Sequence, residues 1–128
     1  MSTKAPEYNT VAWFQIGTDD SERARDFYGG LFGWKFTLDP NGAGYDLVGY
    51  PGADAPSGGI TRTAGGEENH AIFMVLVEDV RAACAQAERL GGKVLTEAVT
   101  TPRGLVFAYL LDPAGNRFGV FTPPPVPA

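Results

Sequence analysis

Residues 10–33 read TVAWFQIGTDDSERARDFYGGLFG, and the same order of features returns 59 residues later. Thr10 to Gly17 is apolar and β-prone, with Trp13, Gln15 and Gly17 on one face and Phe14 and Ile16 on the other. Asp19 followed by Glu22 fits a capping box at the start of a helix. Ala24, Phe27, Tyr28 and Leu31 then recur at the spacing of one helical face, and Gly33 is a terminator. Adding 59 carries Phe14 to Phe73, Ile16 to Val75, Asp20 to Asp79, Ala24 to Ala83, Leu31 to Leu90 and Gly33 to Gly92. One offset that holds through strand, cap, helix and terminator marks an internal repeat. The competing reading is two unrelated α+β halves with similar turn chemistry.

Working outward, Trp34 to Leu38 predicts a short strand closed by the turn Asp39-Pro40-Asn41-Gly42. Tyr45 to Tyr50 and Gly59 to Thr63 predict two more strands around a Gly- and Pro-rich loop from Pro51 to Gly58, a lid or a plain connector. Gly65 and Gly66 mark the middle of the chain. The second round is a strand from His70 to Val77, a helix from Asp79 to about Leu90 with Ala83, Ala87 and Leu90 inward, then strands at Lys93 to Glu97, Leu105 to Leu111 and Arg117 to Thr122. The turn Asp112-Pro113-Ala114-Gly115-Asn116 joins the last two. The fold class is α+β: two βαβββ modules, about 10–66 and about 67–122, in a single domain with a flexible Pro-rich tail at 123–128.

Composition narrows the function. The apolar fraction of 44% and the mixed-sign charge of 20% suit a packed core rather than a disordered chain. Fifteen acidic against ten basic residues, a net charge of −5 with no Lys/Arg cluster, argues against nucleic acid. Nothing approaches the roughly 20 apolar residues of a membrane span, and MSTKAPEYNT has no apolar signal-peptide region. The expectation is a soluble cytoplasmic protein without a membrane partner. Cys84, the single cysteine, excludes an intrachain disulfide and reads as a small buried thiol more readily than as a nucleophile.

The strings Trp13-Phe14-Gln15-Ile16, Asp20 with Arg23-Ala24-Arg25-Asp26-Phe27-Tyr28, Leu31-Phe32-Gly33-Trp34, Val77-Glu78-Asp79-Val80, Gly91-Gly92-Lys93-Val94 and Asp112-Pro113-Ala114-Gly115-Asn116 carry a resemblance. Together they resemble the glyoxalase/bleomycin resistance protein/extradiol dioxygenase, or vicinal oxygen chelate, superfamily, from about Val11 to Thr122. The resemblance implies a glyoxalase-like open barrel or cup, each βαβββ unit supplying half. In enzyme members it implies a divalent metal acting as Lewis acid, held by His, Glu or Gln from the first and last strand of each unit. It also implies a homodimer, with cups closed within one chain or between two.

Counting from the caps and turns puts the four implied ligand positions at Trp13, Ile60, Ile72 and Gly119. None of these side chains binds a cation, so the expectation is no metal and no cofactor. Strand alternation gives an inward list of Trp13, Gln15, Ile60, Arg62, His70, Ile72, Met74, Gly119 and Phe121, with Tyr45 or Tyr50 and Phe107 or Tyr109 beside them. Such a lining suits a flat organic ligand, with Arg62 meeting its carboxylate or phosphate or stacking on an aromatic ring. His70, the single histidine, is the catalytic candidate; it reads first as a rim histidine with no catalytic task, next as a hydrogen-bond donor to ligand or a general base, and last as part of a poor metal site with Gln15 and a carboxylate. Three functions stay open: a metal-free protein that binds a small aromatic molecule; an enzyme of the same fold (lyase, isomerase or glyoxalase-like) using His70, Arg62 or a tyrosine; and a structural or regulatory domain whose cup is packed shut.

Overall fold

The computed structural model describes residues 7–38, 44–63 and 67–124. The turn expected at Asp39-Pro40-Asn41-Gly42, the Gly65-Gly66 pair and the last four residues of the tail lie outside these. The described residues form an α+β structure in the order β1 (Thr10–Thr18), α1 (Ser21–Phe32), β2 (Lys35–Thr37), β3 (Tyr45–Gly49), β4 (Gly58–Arg62), β5 (His70–Leu76), α2 (Val80–Arg89), β6 (Lys93–Thr100), β7 (Val106–Leu111) and β8 (Arg117–Thr122). Both rounds are therefore βαβββ.

Two compact units emerge: Trp13–Ile72, the earlier unit, and the residues from Phe73 onward with those up to Ala12, the later unit. The start of the chain counts with the later unit because the Asn9 N–H donates to Leu76 O at 2.6 Å. In the earlier unit the strands run β2-β3-β4-β1, with β1 and β4 parallel and the others antiparallel. In the later unit they run β5-β8-β7-β6, again with one parallel pair, β5 and β8. β6 is longer than expected, and two register shifts against β7 bend it.

Both helices start on an aspartate whose carboxylate takes a backbone N–H three residues on: Asp20 from Arg23 and Asp79 from Ala82, each at 3.0 Å. The cap of α1 is thus Asp20, not Asp19. Asp19 is engaged elsewhere: its N–H donates to Asn69 Oδ1, and its Oδ1 accepts from Asn69 Nδ2. α1 ends at Gly33, whose φ of 73° is left-handed and whose N–H closes on Gly29 O, a conformation that favours glycine.

Each unit has its own core between helix and sheet. Ile16, Val48 and Ile60 are buried in the earlier one, with Phe14, Ala24, Tyr28, Trp34 and Phe36 packed on them. Val77, Val80, Ala108, Leu110 and Val120 are buried in the later one, with Val75, Ala83, Cys84, Ala87 and Phe118 around them. Three expected core residues do not join. Phe27 and Leu31 are 60% and 58% exposed, because α1 meets its sheet through Ala24 and Tyr28 and carries those two on the neighbouring stripe. Leu90 is exposed because α2 ends one residue before it. The Pro51–Gly58 loop is tied at its end: Ser57 N–H donates to Val48 O and Ser57 O accepts from Phe14 N–H.

Candidate functional site

Each sheet has a helix-covered face and an opposite face that carries no helix, its open face, on which Gln15 and Met74 are nonetheless buried. In β1 Phe14 and Ile16 pack under the helix, so Trp13, Gln15 and Gly17 take the open face. Register then assigns the rest. Ile16 pairs with Ile60, and Gln15 with Gly59. Ile60 is therefore core, fully buried, and Arg62 shares its side and is exposed. Both were expected on the open face; the positions there are Gly59 and Thr61.

The cause is a single residue. In the later unit Met74 pairs with Gly119, so the partner equivalent to Gly119 is Gly59, at an offset of 60 rather than 59. One residue inserted before the last strand moves every alternation argument there to the wrong face.

On the earlier unit's open face four side chains join. Trp13 Nε1–H donates to Tyr45 Oη at 2.9 Å, and Tyr45 O–H donates to Gln15 Oε1 at 3.2 Å. Gln15 Nε2 lies 3.2 Å from His70 Nε2, and His70 Nδ1 lies 3.4 Å from Glu68 O. The direction of this chain follows from its first member. An indole can only donate, so Tyr45 accepts from it and gives its own proton to Gln15, whose amide then donates to His70. His70 Nδ1 faces Glu68 O, so both ring nitrogens lie within hydrogen-bond distance of a partner. Gln15 is 3% exposed, which makes these bonds hard to trade for water. Tyr45 reaches its place because Gly59 has no side chain: a Cβ there would collide with the tyrosine ring. The His70 ring covers Gly17 in the same way. Tyr50, the alternative to Tyr45, stacks instead beside Phe14 at 6.3 Å, with the helix-side rings.

The later unit's open face has different chemistry on the same frame. Met74, Gly119 and Phe121 lie on it, as expected, together with both Phe107 and Tyr109, which pair with Phe121 and Gly119. Met74 lies over Gly119, where a Cβ would meet its sulfur. Phe107 and Tyr109 meet edge to face at 5.7 Å. The guanidinium of Arg117 sits over Tyr109, 5.1 Å from the ring centre. Sequence reasoning chose Arg62 as the cation; the parity of the residue directly before Phe118 was the signal that pointed to Arg117. Ile72, at the head of this strand but counted with the earlier unit, is buried at 9% exposure.

With the register corrected, the four positions where the resemblance implies metal ligands are Trp13, Gly59, Ile72 and Gly119. Indole, aliphatic chain and two glycines do not fit a cation, and Gln15 alone adds one amide oxygen, already bonded to Tyr45. Among the described residues no three His, Cys, Asp or Glu cluster as metal ligands do. Cys84 packs half-buried against the core of the later unit. Burial first, then the Glu88 carboxylate, holds its thiol above the ordinary range, against the weaker pull of Arg81, and so keeps it protonated.

A cleft of about 640 Å³ opens at the other end of β1, between its last residues, the first turns of α1 and the start of β5. Phe27, Tyr28 and Ala24 make its apolar wall, and Asp19, Asp20, Arg23 and Asn69 its polar one. No described helix is long and apolar enough to cross a membrane.

A family model described as Glyoxalase/Bleomycin resistance protein/Dioxygenase superfamily matches residues 10–120. A glyoxylase-like domain-containing protein of Didymella fabae is 28% identical over 123 residues, 91% of this chain and 96% of that protein. An anthracycline biosynthesis protein of Streptomyces sp. (strain C5) is 37% identical over 116 residues, which are 87% of this chain but only 40% of that longer protein. Among solved structures, methylmalonyl-CoA epimerase from Mycobacterium tuberculosis superposes with a TM-score of 0.62 at 17% identity, covering 96% of this chain and 94% of the epimerase. That last likeness concerns the fold alone.

Proposed function

We propose, on the premise that the chain belongs to the glyoxalase/bleomycin resistance protein/dioxygenase superfamily, that it binds a small aromatic organic molecule and does so without the metal of the family's enzymes. The observation that carries this reading is the earlier unit's open face. Two rings, Trp13 and Tyr45, and two polar side chains, Gln15 and His70, meet there in one directed set of hydrogen bonds. A mostly apolar surface with a few convergent polar groups is the usual form of a small-molecule site. A ligand hydroxyl or carbonyl has donors and acceptors of fixed direction to join. The likeness to an anthracycline biosynthesis protein points the same way, since an anthracycline is a polycyclic aromatic. The metal-free part rests on residue chemistry at Trp13, Gly59, Ile72 and Gly119.

Elemental analysis of the purified protein together with a thermal-shift screen of polycyclic phenols and quinones tests both parts. The reading expects no stoichiometric divalent ion and a rise in Tm with at least one polycyclic class. One tightly held ion per chain contradicts the metal-free part, and a flat screen favours a domain whose open faces are packed shut.

An enzymatic reading is favoured by one observation, the orientation of His70 Nε2 by Gln15. An imidazole whose ring is held in one orientation is what a general base needs. Here the candidate machinery is His70 with Tyr45; Arg62 lies off this face.

A further inference from the structure

We infer that Arg117 is an anion-recognition residue, taking the carboxylate of an aromatic ligand on the open face of the later unit. The inference rests on the reading above that the chain binds aromatic molecules, and extends it to the later unit's own face, with the charge of the ligand bound there.

Four observations carry it. Arg117 Nε is buried and has no hydrogen-bond partner among the described residues. A buried guanidinium N–H without an acceptor is an unfavourable arrangement that native chains rarely keep unless something supplies the acceptor. Second, stacking on Tyr109 at 5.1 Å fixes the plane of the group, so its donor edge is presented in one orientation rather than trailing into water. Third, the acid closest in the chain is committed. Asp112 accepts from Ala114 N–H, Asn116 N–H and Asn116 Nδ2, and those bonds, the Asn116 side chain's foremost, hold its carboxyl below the ordinary range. Fourth, the neighbours on the same face suit a flat ring: Phe107 stands edge-on to Tyr109, and the flexible Met74 covers Gly119. A carboxylate fits this cation better than a single hydroxyl does, because its two oxygens match the Nε–Nη edge of a guanidinium bidentately.

The probes are 2-naphthoate and its neutral amide, 2-naphthamide, titrated calorimetrically into the full chain and into Arg117→Gln and Arg117→Lys. Wild type is expected to bind the naphthoate at least about tenfold more tightly than the amide, the scale of one charge-assisted pair. Arg117→Gln should erase that preference while keeping amide affinity, and Arg117→Lys should keep only part of it. In wild type the Arg117 Nε–H resonance should shift with naphthoate and stay put with the amide, a readout that needs no variant to fold. Equal binding of the two probes, or a preference that survives in Arg117→Gln, overturns the assignment and leaves the aromatic-binding reading standing. Binding of neither probe overturns this inference, while the reading of the earlier unit's face stands or falls by its own screen.

Discussion

The two units have one backbone plan and put different chemistry on it. Both pair their first and last strands in parallel, and both place a glycine of the last strand beneath a side chain of the open face: Gly59 under Tyr45, Gly119 under Met74. In the earlier unit the neighbours are polar and hydrogen-bonded, from Trp13 to His70. In the later unit they are a thioether, three rings and Arg117. The helix-covered side differs as well. Arg25 of α1 is paired with Asp46 of β3 at 2.8 Å, and the equivalent places in the later unit hold Cys84 and Ala108, packed in its core. The lesson is that repetition dictates where side chains go, while their chemistry was free to diverge. A functional reading must therefore be made one face at a time.

The comparison breaks most severely at Ile60. If it is core, as Val120 is in the later unit, Ile60→Ala should cost about 2–5 kcal/mol in chemical denaturation; a cost of a few tenths would return it to an open surface. Asp46→Ala should come next. It leaves Arg25, whose side chain is 23% exposed, beside an apolar wall, and we expect a loss of about 2–3 kcal/mol, under the range for a fully buried pair. The double substitution Arg25→Cys/Asp46→Ala, which copies the later unit, should recover part of that loss. Third, Gly59→Ala should destabilise by about 1–3 kcal/mol, because a stiff tyrosine ring must leave and takes the Trp13 and Gln15 bonds with it. Gly119→Ala should cost less, since Met74 can swing away; equal losses would mean that the two glycines do not play matching roles. The smallest effect concerns what the units share: Asp20→Ala and Asp79→Ala should each cost about 1 kcal/mol, and by similar amounts, because the caps have the same geometry.

Much of this was legible in residues 10–33 and their echo. The strands, both helices, the Gly33 terminator and the open-face places of Trp13, Gln15, Met74 and Phe121 follow from alternation, capping chemistry and glycine. Three things did not. The cap fell to Asp20 because a side chain 50 positions away, Asn69, engages Asp19, and no local pattern records such a partner. Phe27 and Leu31 satisfied the helical period but lie one stripe off the contact, since period alone does not say which of two adjacent stripes faces the sheet. The face of Ile60 and Arg62 was lost to one inserted residue. A period of two is unforgiving in that respect, and pairing register, not the repeat offset, decides it. The hydrogen-bonded set was half visible: Gln15 and His70 were singled out, but Tyr45 could not be told from Tyr50 until Gly59 opened a place for its ring.

The central claim is that the open face of the earlier unit receives an aromatic ligand. The chain has two tryptophans on opposite sides of that unit's sheet: Trp13 on the open face and Trp34 in the helix-side cluster. Titration of the isotope-labelled protein with 2-naphthol, followed by the indole Nε1–H resonances, sets one against the other. The account predicts a saturable shift of the Trp13 signal, as the ligand competes for its bond to Tyr45, with Trp34 nearly still. A shift confined to Trp34, or no shift at either ring, would contradict it.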